Sequence, residues 1–385
     1  MAEEPSYIEK IRSHRLAIIY RTVLILVLVA AGLALAYFSW RDKVFSEAEV
    51  IQTAQISEAS QAQFCSLDEY LIQYSKDGIR CMNADGDVLW NQTYEMQAPI
   101  VRTCRKMIAA GDYNGHIIYV ASTDGPMGTI DTNLPIRSFC VASQGVVAAV
   151  LDDQDIAWIY LYDAQGNTLA SFKTTMGDSG YPLTVAISPN GELVGVSFLY
   201  AKEGKIRTSV AFYNFGSVGQ NVIDNYVSGY DYTGVVAPFL QFLSDDAVCA
   251  VGDDRVMFYA GSQIPTSQAE HLTGGEEIAG VYHGSEHAAL LFHNSTSEGA
   301  YRLQVYAKNG DEKVKIFFDQ DYDDILLLSD RIVIYGADSW IIYDMKGDQK
   351  FAGAFETPVR IMIPTDMRNR FLAVTGNTVE TLELR

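Results

Sequence analysis

Five groupings of polar side chains in this 385-residue chain are spaced for a reaction or a ligand. Gly177-Asp178-Ser179-Gly180 has the form of a serine-nucleophile motif. That chemistry needs a His base within hydrogen-bond reach of the Ser and an Asp to orient the base. Only His14 and His116 precede Ser179, neither in a matching context, so the motif reads as a loop. Asp319, Asp321, Asp323 and Asp324, with Asp330 at the twelfth position, space oxygen ligands as a calcium loop does. The sixth position of such a loop is Gly, but here it is Asp324, and the ILLLS that follows reads as a strand, so a solvated loop is expected. Asp152-Asp153-Gln154-Asp155 reads as a hairpin tip. His283, His287 and His293 invite a zinc reading. His-x-x-x-His shares one face only on a helix, however, and this stretch alternates as strand, turn, strand. The fifth grouping is basic: Arg102, Arg137 and Arg360 follow a Pro by two or three residues in PIVR, PIR and PVR, each at the start of an apolar strand. Three converging guanidinium groups would hold an anionic group or an acidic peptide through charge-assisted hydrogen bonds. The competing reading is salt bridging to neighbouring Asp. No catalytic residue, metal site or cofactor is expected.

Charge and cysteines narrow the partners. The formal charge is −20, and beyond Trp40 there are 24 Lys/Arg against 45 Asp/Glu, a net of −21. Such a surface repels nucleic acid, whose binding rests on cations neutralising phosphate. Five cysteines, Cys65, Cys81, Cys104, Cys140 and Cys249, contain no Cys-x-x-Cys, which removes zinc-ribbon and thioredoxin readings. Cys65, Cys104 and Cys140 fall on corresponding strands of successive repeats, where buried free thiols are expected and one bridge is the alternative.

Those side chains are carried by a repeat. Ile156–Gly166, IAWIYLYDAQG, alternates apolar residues at Ile156, Trp158, Tyr160 and Tyr162, the period of a strand, then breaks into a Gly turn before a second strand. LQVYAKNG at Leu303–Gly310 and WIIYDMKG at Trp340–Gly347 repeat it, with Tyr four residues before Gly each time. Shorter or weaker copies are VAFYNFG, VMFYAG, RCMNADG and YVASTDG. The turn glycines 86, 125, 166, 216, 261, 310 and 347 are 39, 41, 50, 45, 49 and 37 residues apart. Four-stranded propeller blades recur at roughly 40–50 residues. Blades are expected over residues 62–96, 99–133, 134–175, 181–229, 235–274, 277–319 and 323–357. Residues 358–385 supply three more strands and stop, leaving an open edge. A stray strand, Glu49–Glu58, is available to fill it. The expected fold is therefore all-β, an eight-bladed β-propeller with 3+1 closure; seven blades is the alternative.

Ahead of the repeats, Thr22–Trp40 holds 19 residues without a charge. As a helix it spans about 28 Å, close to the hydrocarbon thickness of a bilayer. Tyr20, Tyr37 and Trp40 lie at its ends, where aromatic rings favour the headgroup zone. Lys10, Arg12, Arg15 and Arg21 on the amino side outnumber Arg41 and Lys43, which favours the amino terminus inside. The expected division is a cytoplasmic tail (1–21), a transmembrane helix (22–40), a stalk (41–48) and an extracytoplasmic propeller (49–385). A signal peptide cleaved after Ala34-Leu35-Ala36 is the alternative.

The strand-turn-strand CMNADGDVLWN and its relatives resemble the blades of eight-bladed quinoprotein-type propellers, a group that includes the lipoprotein scaffold of outer-membrane β-barrel assembly. The anchored whole resembles a domain-of-unknown-function family of Gram-positive bacteria. Quinoprotein enzymes carry a vicinal cysteine pair and a cofactor-stacking Trp. This chain has no Cys-Cys, and Trp90, Trp158 and Trp340 fall in outer hairpins. The resemblance implies the scaffold without the redox chemistry. The expected role is a non-catalytic interaction platform at the bacterial envelope, bound to the membrane through residues 22–40 and partnered by other envelope or membrane proteins. A glycan-active hydrolase or lyase is the alternative from another class. A ligand sensor is the third, although the short inner tail holds no signalling module.

Overall fold

The computed structural model describes residues 16, 18–33, 43–57, 62–154, 156–175 and 180–385. The chain divides into two compact units between Phe45 and Ser46. In the smaller unit residues 18–33 are helical. Among the described residues no helix is long and apolar enough to cross a membrane. The expected span is described over residues 22–33 only, and Tyr37 and Trp40 lie outside the described residues.

The larger unit consists of eight four-stranded antiparallel sheets. Seven are consecutive in the chain and form blades 1 to 7, over residues 63–93, 99–131, 136–175, 181–233, 239–272, 278–318 and 324–354. The eighth takes Val359–Pro364, Arg370–Thr375 and Thr378–Leu384, and adds Ala48–Gln55 as its fourth strand. The 3+1 closure is as expected, and seven blades is excluded. Two boundaries differ from expectation. Blade 4 runs on to Thr233 because Gly229 pairs with Ala211 inside the ladder. The closing strand ends at Gln55 because Ile56 turns inward to 7 % exposure and its N–H bonds the Asn377 carbonyl at 2.8 Å. Arg80 then holds the Ser57 carbonyl.

Inter-blade packing explains the repeat. Asp163 Oδ1 accepts the N–H groups of Gln165 (3.0 Å) and Asn167 (2.9 Å), which folds the turn, and Gly166 takes φ +90°. A Cβ at Gly166 would also lie 2.7 Å from the Thr129 carbonyl on the outer strand of blade 2. Gly is thus required there by conformation and by contact. At the equivalent Gly86 of blade 1 (φ +77°), a Cβ would lie 3.1 Å from the Gln55 carbonyl and 3.2 Å from the Ala54 Cβ. Residues 48–55 therefore occupy the outer position of the blade that precedes blade 1. The recurring Tyr sits at a β-bulge between the third and fourth strands, at Tyr162, Tyr213, Tyr259, Tyr306 and Tyr343. An extra residue there raises the local twist.

The second strand of each blade is buried on both faces, as Ala247–Val251 is throughout. Apolar clusters fill the spaces between blades. One of them joins Ile56, Leu71, Met82, Leu372, Val374 and Val379 across the seam of blades 8 and 1. Trp340, 1 % exposed, lies in an outer hairpin as expected, with its ring 4.6 Å from Phe351 and 5.4 Å from Phe371 of blade 8.

Candidate functional site

A large cleft lies where the repeat is most distorted. The second and third strands of blade 4, Leu193–Lys202 and Lys205–Asn214, have ten residues each. Their two-residue turn, Glu203-Gly204, has φ of +54° and +71°, the left-handed pair that matches strand twist. After Asn214 an insertion with two short 3-10 turns, Gly219–Asn221 and Ile223–Asn225, delays the outer strand Tyr226–Thr233. Asp224 and Asn225 both take positive φ.

Between this blade and the outer strand of blade 3, Thr168–Thr175, lies a cleft of about 1010 Å³. Alternation along the strands decides what enters it. Ala211 and Tyr213 belong to the cluster shared with blade 3, and Ser209 shares their face, opposite Asp231. Phe172 from blade 3 stacks on Tyr213, with centroids 4.4 Å apart, and Tyr213 and Tyr226 meet edge to face at 5.9 Å. Lys173, Lys202, Asp224 and Asp231 supply charge to the lining. Burial pushes the Tyr213 phenol up, and neighbouring Tyr226 and Asp224 add to this. Tyr200 is raised by burial and by Asp231, against Arg207. Burial and Asp231 do the same to Tyr226. The phenols therefore stay protonated and able to donate at physiological pH. The cleft offers rings, hydroxyl donors, carboxylate acceptors and ammonium groups.

The three arginines singled out from the sequence lie on the first strands of blades 2, 3 and 8, in inequivalent positions. Arg137 and Arg360 fall in β-bulges, while Arg102 sits in a regular ladder opposite Ala109. Arg137 Nε donates to Asp152 Oδ2 at 2.8 Å, and Nη1 reaches back to the Tyr113 hydroxyl of blade 2 at 3.1 Å. The Asp152 bond holds this guanidinium above its ordinary range. Arg360 Nη2 donates to the Ala62 carbonyl at 2.7 Å, over the Phe64 ring at 4.8 Å, joining blade 8 to blade 1. Arg102 is exposed and donates to its neighbour's carbonyl at Val101.

The other groupings are spread out. Asp319 Oδ1 accepts the Ala300 N–H at 2.8 Å, whereas Asp330 pairs with Arg368 Nε at 2.7 Å. His287 is buried at the start of its strand and His293 exposed at the far end, beside Tyr301. Among the described residues no group of three or more His, Cys, Asp or Glu is placed to hold a metal ion. Gly177, Asp178, Ser179 and Asp155 lie outside the described residues. The five cysteines are free, and Cys65, Cys104 and Cys140 lie on first strands of successive blades as expected.

A family model described as a family of unknown function, DUF5711, matches residues 41–384. The chain belongs to the DUF5711 family. No curated protein sequence is similar enough to this DUF5711 chain to count as a relative. Among solved structures, a eukaryotic initiation factor is 12 % identical over 84 % of both chains, with a TM-score of 0.52. Sqt1 from Chaetomium thermophilum is 11 % identical, covering 89 % of this chain and 95 % of its own, also at 0.52. BamB from Moraxella catarrhalis is 10 % identical, covering 88 % of this chain and 100 % of its own, at 0.46. At these identities the likeness concerns the fold.

The cleft was not legible as a site in the sequence. The available signal was the departure of SFLYAKEGKIRTSVAFY and its long following segment from the length of the other repeats.

Proposed function

We propose that this DUF5711 chain is a single-pass membrane protein of a Gram-positive cell envelope, with residues 1–21 inside and the propeller outside. There it acts as a non-catalytic scaffold for other envelope or membrane proteins. The observation that carries the reading is the blade 4 insertion. It holds Ile223 at 85 % and Val222 at 43 % exposure, beside the cleft of about 1010 Å³ between blades 3 and 4. Apolar side chains held in water on a rigid frame are the raw material of an interface anchor. The uncharged run Thr22–Trp40 and its basic amino-side flank support the topology. Arg102, Arg137 and Arg360 are a second contact region in this reading, for an acidic segment of the partner.

A photo-crosslinking residue at position 223 in intact cells tests the reading, with position 308 as control. The expected outcome is a discrete adduct with an envelope protein from 223 and none from 308. Protease added outside protoplasts is expected to digest the propeller. Equal labelling from both positions, or a protected propeller, contradicts the proposal. Unchanged adducts from the Arg102/Arg137/Arg360→Ala triple variant remove the arginines from it.

A further inference from the structure

We infer that the cleft between blades 3 and 4 binds a neutral or N-acetylated oligosaccharide, with the Tyr226 ring as its stacking platform. The inference does not depend on a protein partner at Ile223.

The platform is built by an absence of side chain. A Cβ placed on Gly229 would lie 2.3 Å from Tyr226 Oη and 3.2 Å from its Cζ. The phenol end of Tyr226 therefore occupies the space that any other residue at 229 would fill. The ring lies along its own strand, 46 % exposed, and meets Tyr213 edge to face. Tyr213 is locked in turn by Phe172. A ring held in this way is already ordered, so covering its exposed apolar surface with a ligand is favourable at little entropic cost.

Polar groups around the ring match a sugar. Asp231 lies two residues past Gly229 on the same face of the strand, and Asp224 lies two residues before Tyr226. Lys173 stands on the facing blade. An aromatic face is the negative part of the ring quadrupole, and it attracts the slightly positive C–H face of a pyranose. Carboxylates accept hydrogen bonds from hydroxyl pairs, while ammonium and phenol groups donate to ring and acetyl oxygens. The cleft lies at the upper end of the roughly 300–1,000 Å³ of small-ligand pockets, room for a short run of sugar rings. The net charge of −20 opposes anionic polysaccharides, which leaves neutral and N-acetylated ones.

The test uses the full-length chain in detergent micelles, with the N-acetylglucosamine tetramer and cellotetraose as probes. Titration calorimetry and saturation-transfer NMR follow binding. At least one probe is expected to bind saturably with Kd of about 0.1–1 mM, weakened about tenfold by Tyr226→Ala. Gly229→Ala keeps the ring but displaces it, and a loss of about threefold or more is expected. Ile223→Ser is expected to bind as the wild type does. Melting temperatures of the variants separate these losses from unfolding. Three results overturn the inference: no saturable binding of either probe at about 10 mM, wild-type affinity retained in both Tyr226→Ala and Gly229→Ala, or a loss in Ile223→Ser matching that of Tyr226→Ala. Cleavage of a bound probe keeps the site and overturns the non-catalytic reading instead.

Discussion

Replacing Ile56 by Ala removes the buried apolar side chain through which the described closing segment joins the hydrophobic cluster at the ring seam. Ile56 is 7 % exposed and belongs to a cluster drawn from blades 1 and 8, including Leu71, Met82, Leu372 and Val379. The strand before it is exposed at nearly every position. Its pairing alone therefore buries little apolar surface, and Ile56 carries most of the hydrophobic part of closure. Buried Ile→Ala changes cost about 2–5 kcal/mol, according to how far the site collapses. Two flanking sheets limit collapse here, so about 3 kcal/mol is expected, a fall of about 4 °C in Tm for a domain of this size. Val50→Ala, at a position 42 % exposed on the same strand, is the control and should cost under about 0.5 kcal/mol. Thermal unfolding followed by the fluorescence of Trp90, Trp158 and Trp340 reads both variants. If Ile56→Ala is as stable as the wild type, or Val50→Ala costs as much, the reasoning fails.

Asp344 and Lys350 form a buried pair, 8 % and 9 % exposed, with Nζ 3.1 Å from Oδ2. Burial works to raise the Asp344 carboxyl, but the N–H groups of Asp348 and Lys346, with Lys350, hold it below its usual range. Asp344→Ala strands the ammonium and is expected to cost about 3–5 kcal/mol by urea denaturation. The part due to the stranded ammonium should return in the Asp344→Ala/Lys350→Met double variant, while the part due to the Lys346 and Asp348 N–H groups that Asp344 Oδ1 accepts stays lost; no recovery would refute the pairing. The thiols make a pH prediction. Burial pushes Cys65 and Cys140 up to about 12 and Cys81 to about 11, from an ordinary 9.0. Above pH 9 the unfolded chain loses these protons and the native chain keeps them, so stability falls as pH rises. Tm should hold between pH 7 and 9 as far as these groups act, then drop by pH 10.5; an unchanged Tm at pH 10.5 contradicts this. A thiol-specific disulfide reagent at pH 8 should label the native protein slowly and all five cysteines after unfolding.

Much of this architecture could be read from residues. The turn at Asp163–Gly166 uses local chemistry: a side-chain oxygen folds the turn and Gly takes the left-handed position. Such signals repeat because every blade meets its neighbour in the same way. The closure was legible by subtraction, from three strands at one end and one at the other. Gly216 shows the limit. Its φ is not in the left-handed region, and the residues after it form the blade 4 insertion rather than a hairpin turn. The arginines show another. Arg137 and Arg360 sit in bulges, and a bulge displaces a side chain without leaving a period in the sequence. The cleft depends on Phe172 meeting Tyr213 and on Tyr226 folding over Gly229, contacts set by inter-blade distance and strand length.

Every site placed on this propeller depends on the ring being sealed by the first and last strands. Thr53 pairs with Glu380 between the hydrogen-bonded positions implied by the Ile56–Asn377 bond, where side chains of antiparallel strands lie closest. The direct measurement is peptide mapping by mass spectrometry of an oxidised Thr53→Cys/Glu380→Cys variant. A disulfide joining positions 53 and 380 in the folded monomer, absent when Cys is moved from 380 to Lys308, is the predicted result. No bond between 53 and 380, or equal bonding to position 308, would contradict the sealed ring.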